Sequence, residues 1–279
     1  MTDPVLDAGY LDPERPSPLM REGFTAPAEF TPVEQAKADL ADATRRIIDE
    51  QVTTVADAAA IREAQQLVKR AADLLAGREH GRPYDEPAEG SLQPPQVRPF
   101  PSYSPFIGLM NPIAPPMTIE WGEDFVVGRA TYGLVYEGPP GCLHGGFIAA
   151  GFDEILGLSQ GLSGQVGMTG RLTISYRSPT PLFREIVYRA RFIRKDGRKV
   201  FVEATLHAGD TLCAEAEGLF IAMKPEFFEQ LTALRARTTG LAEQRQDSSG
   251  EAPGKQGPDA VDCRKVFLCP GHGGHDPVE

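Results

Sequence analysis

Apolar positions near the start of the chain recur at helical spacing. Val33, Ala36, Leu40, Ala43, Ile47 and Val52 follow Thr31-Pro32-Val33-Glu34, a capping box with proline at the first helical position. Thr54 to Asp57 repeats the cap, and Ile61, Ala64, Val68, Ala71 and Leu75 make a second stripe closed by Gly77. Two stripes joined by a few residues predict an antiparallel helical hairpin over 31–78. Further on, the period shortens to two. Residues 117–121 and 125–132 alternate around the turn Gly122-Glu123-Asp124, and residues 171–177, 186–195, 199–208 and 211–223 alternate again. Between the two sets lies a run from Phe147 to Leu158 with almost no polar face, which predicts a buried helix.

The chain is organised around Glu137–Gly157, EGPPGCLHGGFIAAGFDEILG. Gly138 to Gly141 form a stiff turn that neither helix nor strand continues through. His144, Gly145 and Gly146 then bring bare backbone to the front of the helix, where unpaired N–H groups collect and the dipole favours negative charge. Asp153 and Glu154 interrupt the apolar run. Such acids either sit at the edge of the buried stripe, reaching water, or do chemistry. Spacing alone leaves both readings open. One distance is already fixed: at about 1.5 Å per residue, Asp153 lies roughly 12 Å along the axis from Gly145. A single small carbonyl cannot be shared across that span, so two copies with antiparallel helices are expected to supply one site between them.

Two strands, one buried helix and four strands describe an α+β protein, an antiparallel sheet wrapped around a helix. Its motifs are EGPPG, HGG, an Asp nine residues after His144, MT at 168–169, YRSPTPL at 176–182 and DGRK at 196–199. In that order they resemble the hotdog-fold acyl-CoA thioesterases, in particular the PaaI/THEM-type branch. The resemblance covers roughly Ser102 to Pro225. It implies hydrolysis of an acyl-CoA to free acid and CoA. Asp153 would be base or nucleophile, Gly145 the oxyanion donor helped by Gly146, His144 would hold that loop or meet the thioester, and Thr169 would position the water. It also implies CoA contacts at Ser175, Arg177, Arg198 and Lys199, and a homodimer or a dimer of dimers. For each residue an ordinary role competes: a capping histidine, a strand threonine, a solvated hairpin of cations. Gly138 stands where some relatives carry an Asn. No metal and no cofactor beyond the CoA substrate is expected, since a carboxylate can activate water. The alternatives are a hotdog enoyl-CoA hydratase and a non-catalytic acyl-CoA-binding or scaffold protein.

Composition narrows the setting. A net charge of −11 argues against general nucleic-acid binding. There is no apolar run of membrane-spanning length and no signal region at the N-terminus, and only four cysteines occur, so a cytoplasmic address is expected. Residues 1–30, with five prolines, read as an extended or disordered arm, and 79–100 as a proline-rich linker. The hotdog domain is placed at 101–225. A short helix (226–241) and a disordered tail fill 226–279. Cys263, Cys269, His272 and His275 could in type bind zinc, but without a framework they read as incidental.

Overall fold

The computed structural model describes residues 30–76, 102–115, 117–165, 167–223 and 230. The arm before residue 30, the linker 79–100, the four C-terminal Cys and His residues, and all of the expected tail helix except the helical Gln230 lie outside them. Among the described residues no helix is long and apolar enough to cross a membrane.

Two helices come first, α1 (Pro32–Thr53) and α2 (Ala58–Leu75). Thr31 and Glu34 form the reciprocal cap expected of α1. For α2 the cap is Asp57 alone, accepting from the Ala59 and Ala60 amides, while Thr54 ends α1. Both helices are therefore where their stripes put them, but they do not bury each other: every residue of α2 is exposed. A stripe shows that a helix has a face to cover, and α2 finds no cover within the chain. α1 is instead fastened to the segment 102–115. Arg45 donates to the Asn111 carbonyl (3.0 Å), and the Lys37 ammonium reaches the Tyr103 hydroxyl (2.6 Å).

Six strands follow: β1 (Thr118–Trp121), β2 (Phe125–Thr131), β3 (Gly167–Tyr176), β4 (Glu185–Asp196), β5 (Lys199–Ala208) and β6 (Thr211–Ala222). They form one antiparallel sheet in the order β1-β2-β4-β5-β6-β3. Helix α3 (Gly145–Gln160) crosses between β2 and β3 and packs into the hollow of the sheet. Ile148, Phe152, Ile155 and Leu156 meet Ile186, Tyr188, Val202, Leu206 and Phe220 in one core. Phe152 and Tyr188 meet edge to face, 5.2 Å between centroids. Helix and sheet lie in close contact at Gly151, where an added Cβ would overlap the Tyr188 phenol ring. The observed architecture is that of the hotdog fold. β3 begins four residues before the expected 171, because Gly167 and Gly170 carry no side chain to show the alternation.

Replacing Gly151 with Leu tests that seating. Overpacking against Tyr188 is expected to cost about 1–3 kcal/mol and to lower Tm by several degrees in thermal unfolding. A variant melting with the wild type would contradict the contact.

Candidate active site

The loop before α3 and the loop after β3 are far apart in sequence and stitched together in space. The Leu143 amide donates to the Thr180 carbonyl (2.8 Å), the Leu182 amide to Gly141 (3.1 Å), and Cys142 bridges Pro181. Within the first loop, the Gly141 amide reaches the Glu137 carboxylate (2.7 Å) and the Gly138 amide reaches the Cys142 carbonyl (2.9 Å). Only glycine fits at 138, since a Cβ there would stand 2.8 Å from the His144 backbone. An Asn at this position, as in some relatives, would collide with the loop. EGPPG and YRSPTPL are thus two halves of one clamp that fixes the start of α3.

His144 is the N-cap of α3. Its backbone N–H donates to the Tyr136 carbonyl (2.9 Å), and its Nδ1 accepts from the Gly146 amide (3.0 Å). The capping role weighed for this histidine is therefore real, and it removes Gly146 from the set of free donors. Among the described residues nothing accepts the Gly145 N–H. Because Nδ1 accepts, a neutral His144 ring carries its proton on Nε2. The first turn of α3 so presents two donors, the Gly145 amide and His144 Nε2, backed by the helix dipole. Tyr176, which the sequence reading left inside a motif without a role, donates to the Gly145 carbonyl (2.9 Å) and so holds the peptide that follows the Gly145 N–H.

Asp153 lies two turns further along α3, exposed, and accepts from the Thr169 hydroxyl (2.8 Å). The β3 register shifts between Thr169 and Arg171, and such a bulge re-aims the neighbouring side chain. The structure thus brings Asp153 to Thr169 and His144 to Gly145 and Gly146, but not the two groups to each other. The same division runs through the four candidate CoA contacts. Ser175 stands opposite Glu215 on β6, and Lys199 opposite Ile221, a separation of about 20 Å along the strand. Arg177 is paired with Glu215 (2.7 Å), and Arg198 Nε donates to the Ala222 carbonyl (2.9 Å).

Glu154 is the acid that sequence reasoning did not place. Its carboxylate accepts from the Ser104 hydroxyl (3.1 Å), whose oxygen in turn accepts from the Phe106 and Ile107 amides. Burial pushes the Glu154 carboxyl up to about 7, the Ser104 hydrogen bond offsets part of that, and the neighbouring Asp153 charge adds to it. Nothing in the local sequence signals this partner, which lies 50 residues away.

Residues 140–215 match the family model described as Thioesterase superfamily. That stretch is thus similar to a thioesterase-superfamily domain. Over 96 residues the chain is 41% identical to the acyl-coenzyme A thioesterase THEM4 of Mus musculus and 29% identical to the acyl-coenzyme A thioesterase THEM5 of Homo sapiens. Both alignments take in 34% of this chain, and they span 41% and 39% of those proteins, so the chain matches about two fifths of each curated relative. A crystal structure described as a thioesterase superfamily protein superposes with a TM-score of 0.58 at 29% identity, covering 71% of this chain and 98% of that one. The family match ends at the residue that faces Ser175, so it takes in the α3 turn, Asp153 and Thr169. Among the described residues no cluster of His, Cys, Asp and Glu has the geometry to hold a metal ion.

The Glu154 environment generates a pH dependence. Its folded pKa, about 7, exceeds its ordinary value of 4.5, so between these values the folded state holds more protons than the unfolded one. Stability is then expected to fall as pH rises through that window and to level off above it, by about 3 kcal/mol at most. Glu154→Gln keeps an acceptor for Ser104 and should remove that slope in urea melts at pH 4.5 to 8. An unchanged slope would put the titration elsewhere.

Proposed function

We propose that the chain hydrolyses acyl-CoA thioesters to free acid and CoA, in sites that two copies build together. The observation that carries this reading is the open edge of β3. It pairs with β6 on one side only, and an unpaired edge strand is a template for a second chain. Two β3 strands paired antiparallel bring the Thr169 end of one toward the Tyr176 end of the other. Thr169 carries Asp153 and Tyr176 carries Gly145, so the base of one copy comes to the donors of its mate. The same two-fold brings Ser175 and Arg177 of one copy to the sheet end that holds Arg198 and Lys199 of the other. One pairing thus closes both gaps.

In such a site the thioester carbonyl oxygen takes hydrogen bonds from the Gly145 amide and His144 Nε2. Asp153 removes a proton from a water that Thr169 helps to place, and the water oxygen bonds to the acyl carbon. The tetrahedral intermediate collapses with cleavage of the C–S bond. CoA leaves as a thiolate and takes up the proton held by Asp153, and the acyl group leaves as the acid. Direct attack by the carboxylate, giving an anhydride that water then cleaves, uses the same atoms. The similarity to the acyl-coenzyme A thioesterases THEM4 and THEM5 supports the substrate class. A hydratase would use histidine and aspartate as an acid–base pair, and the engagement of Nδ1 in capping speaks for the thioesterase.

Asp153→Asn is expected to lower thiol release at least a hundredfold with the fold intact, and Thr169→Val about tenfold. Wild-type turnover in the Asn variant would sink the assignment. A differently tagged pair, Asp153→Asn in one chain and Gly145→Val in the other, tests the shared site. One of its two sites carries both lesions and the other none, so about half of wild-type activity should return although each homodimer is inactive. A heterodimer as dead as its parents would mean that each chain holds its own site. Charge reversal at Arg177 or Arg198 is expected to raise KM more than it lowers kcat, an effect that shrinks with added salt. A salt-independent loss of kcat alone would remove these residues from CoA binding.

A further inference from the structure

Helix α2 is built like a buried helix and covers nothing. Asp57 caps it, and Ile61, Ala64, Leu67, Val68, Ala71 and Leu74 run down one side as a continuous stripe. Leu67 and Leu74 are each 63% exposed, and no residue of α2 is buried. α1, by contrast, is tied to its own domain through Arg45, Lys37 and the buried Ala41. An isolated helix of 18 residues is marginal in water, and an apolar stripe of this breadth marks an interaction surface.

We propose that α2 docks antiparallel against α2 of a second copy of this chain. Two features select that occupant. The centre line of the stripe is formed by Ala64 and Ala71, small residues that let another helix approach closely. Glu63 and Arg70 sit seven residues apart on the same border of the stripe. A two-fold axis near Gln66 brings Glu63 of each copy beside Arg70 of the other, so one pairing forms two opposite-charge contacts. In a parallel pair the same border meets Ile61, Val68 and Leu75, and neither charge finds a partner. A lipid surface fits less well. The polar side mixes Glu63 and Asp73 with Arg62, Lys69 and Arg70, and the stripe has no aromatic residue. The surface is separate from the β3 edge, and the inference does not rest on the catalytic reading.

Nitroxide pairs measured by pulsed electron resonance on the full chain test it. The labels go one at a time on cysteines replacing Ala59, Gln66 or Asp73, which lie away from the stripe, with Cys142, Cys263 and Cys269 changed to serine. An antiparallel pair gives its shortest distance at Gln66. At Ala59 and Asp73 the labels are offset along the axis by about 20 Å, from seven residues on each helix at 1.5 Å rise. Adding Leu67→Glu should abolish the intermolecular signal at all three positions while thermal unfolding of the domain stays unchanged, since α2 contributes nothing to its core. Equal distances at the three positions would mean a parallel pair and overturn the proposal. So would the absence of any intermolecular distance, or a signal that survives Leu67→Glu. Loss of the Gln66 coupling on adding phosphatidylglycerol vesicles that sediment the protein would assign the stripe to a membrane surface instead, and also overturn it.

Discussion

The rise of α3 sets the terms for everything around it. A helix cannot be compressed, so Gly145 and Asp153 stay about 12 Å apart along the axis whatever the loops do. The helix is also fixed in place: its apolar sides fill the hollow of the sheet, and Gly151 lets it lie against the Tyr188 ring. Neither group can move to the other. The free Gly145 amide therefore stands at one end of the helix and the Asp153 carboxylate toward the other. A fold of this kind either serves two different sites or completes each with a second copy.

The positions of the supporting residues follow from that division. Each end of α3 has its own second layer. At the front, the clamp between 137–143 and 180–182 orients His144, which spends Nδ1 and the Gly146 amide on each other and leaves Gly145 and Nε2 outward. At the rear, a bulged β3 turns Thr169 onto Asp153, while Glu154 is drawn inward and held by Ser104. Two adjacent acids thus have opposite fates. Asp153 is exposed on the face where β3 is open, and Glu154 is half-buried against Ser104, where its charge is disfavoured.

Most of the fold was legible because two periods are written plainly along the chain. The buried helix, all six strands and both N-terminal helices were found within a few residues. What the alternation does not carry is pairing, and so the sheet order with β3 at its edge appeared only in three dimensions. The exposure of α2 was hidden for a related reason, since a stripe states that a face is apolar and not what covers it. At the site, HGG and the Asp nine residues on were visible as chemistry. The tie between Gly146 and His144 was not, because glycine amides in a row look equivalent in sequence while the cap uses one and spares its neighbour. Tyr176 and Ser104 were missed because their hydrogen bonds span 31 and 50 residues.

The cations expected to meet CoA pose a last physical question, since Arg177 is already paired. Its partner Glu215 is partly exposed, and an ion pair in such a setting is worth about 0–1 kcal/mol. Exchanging it for a phosphate, which carries more charge and offers more acceptor oxygens, costs little. In a chain of net charge −11 the pairing has a second consequence. With no phosphate bound, Glu215 holds the guanidinium in an ordered position, so less side-chain entropy remains to be lost on binding. Arg198 is held in a different way, with Nε donating to the Ala222 carbonyl, which anchors the stem. Two cations at opposite ends of one sheet are thus each pre-set by a local partner, and an antiparallel second copy is what would put them on the same phosphates.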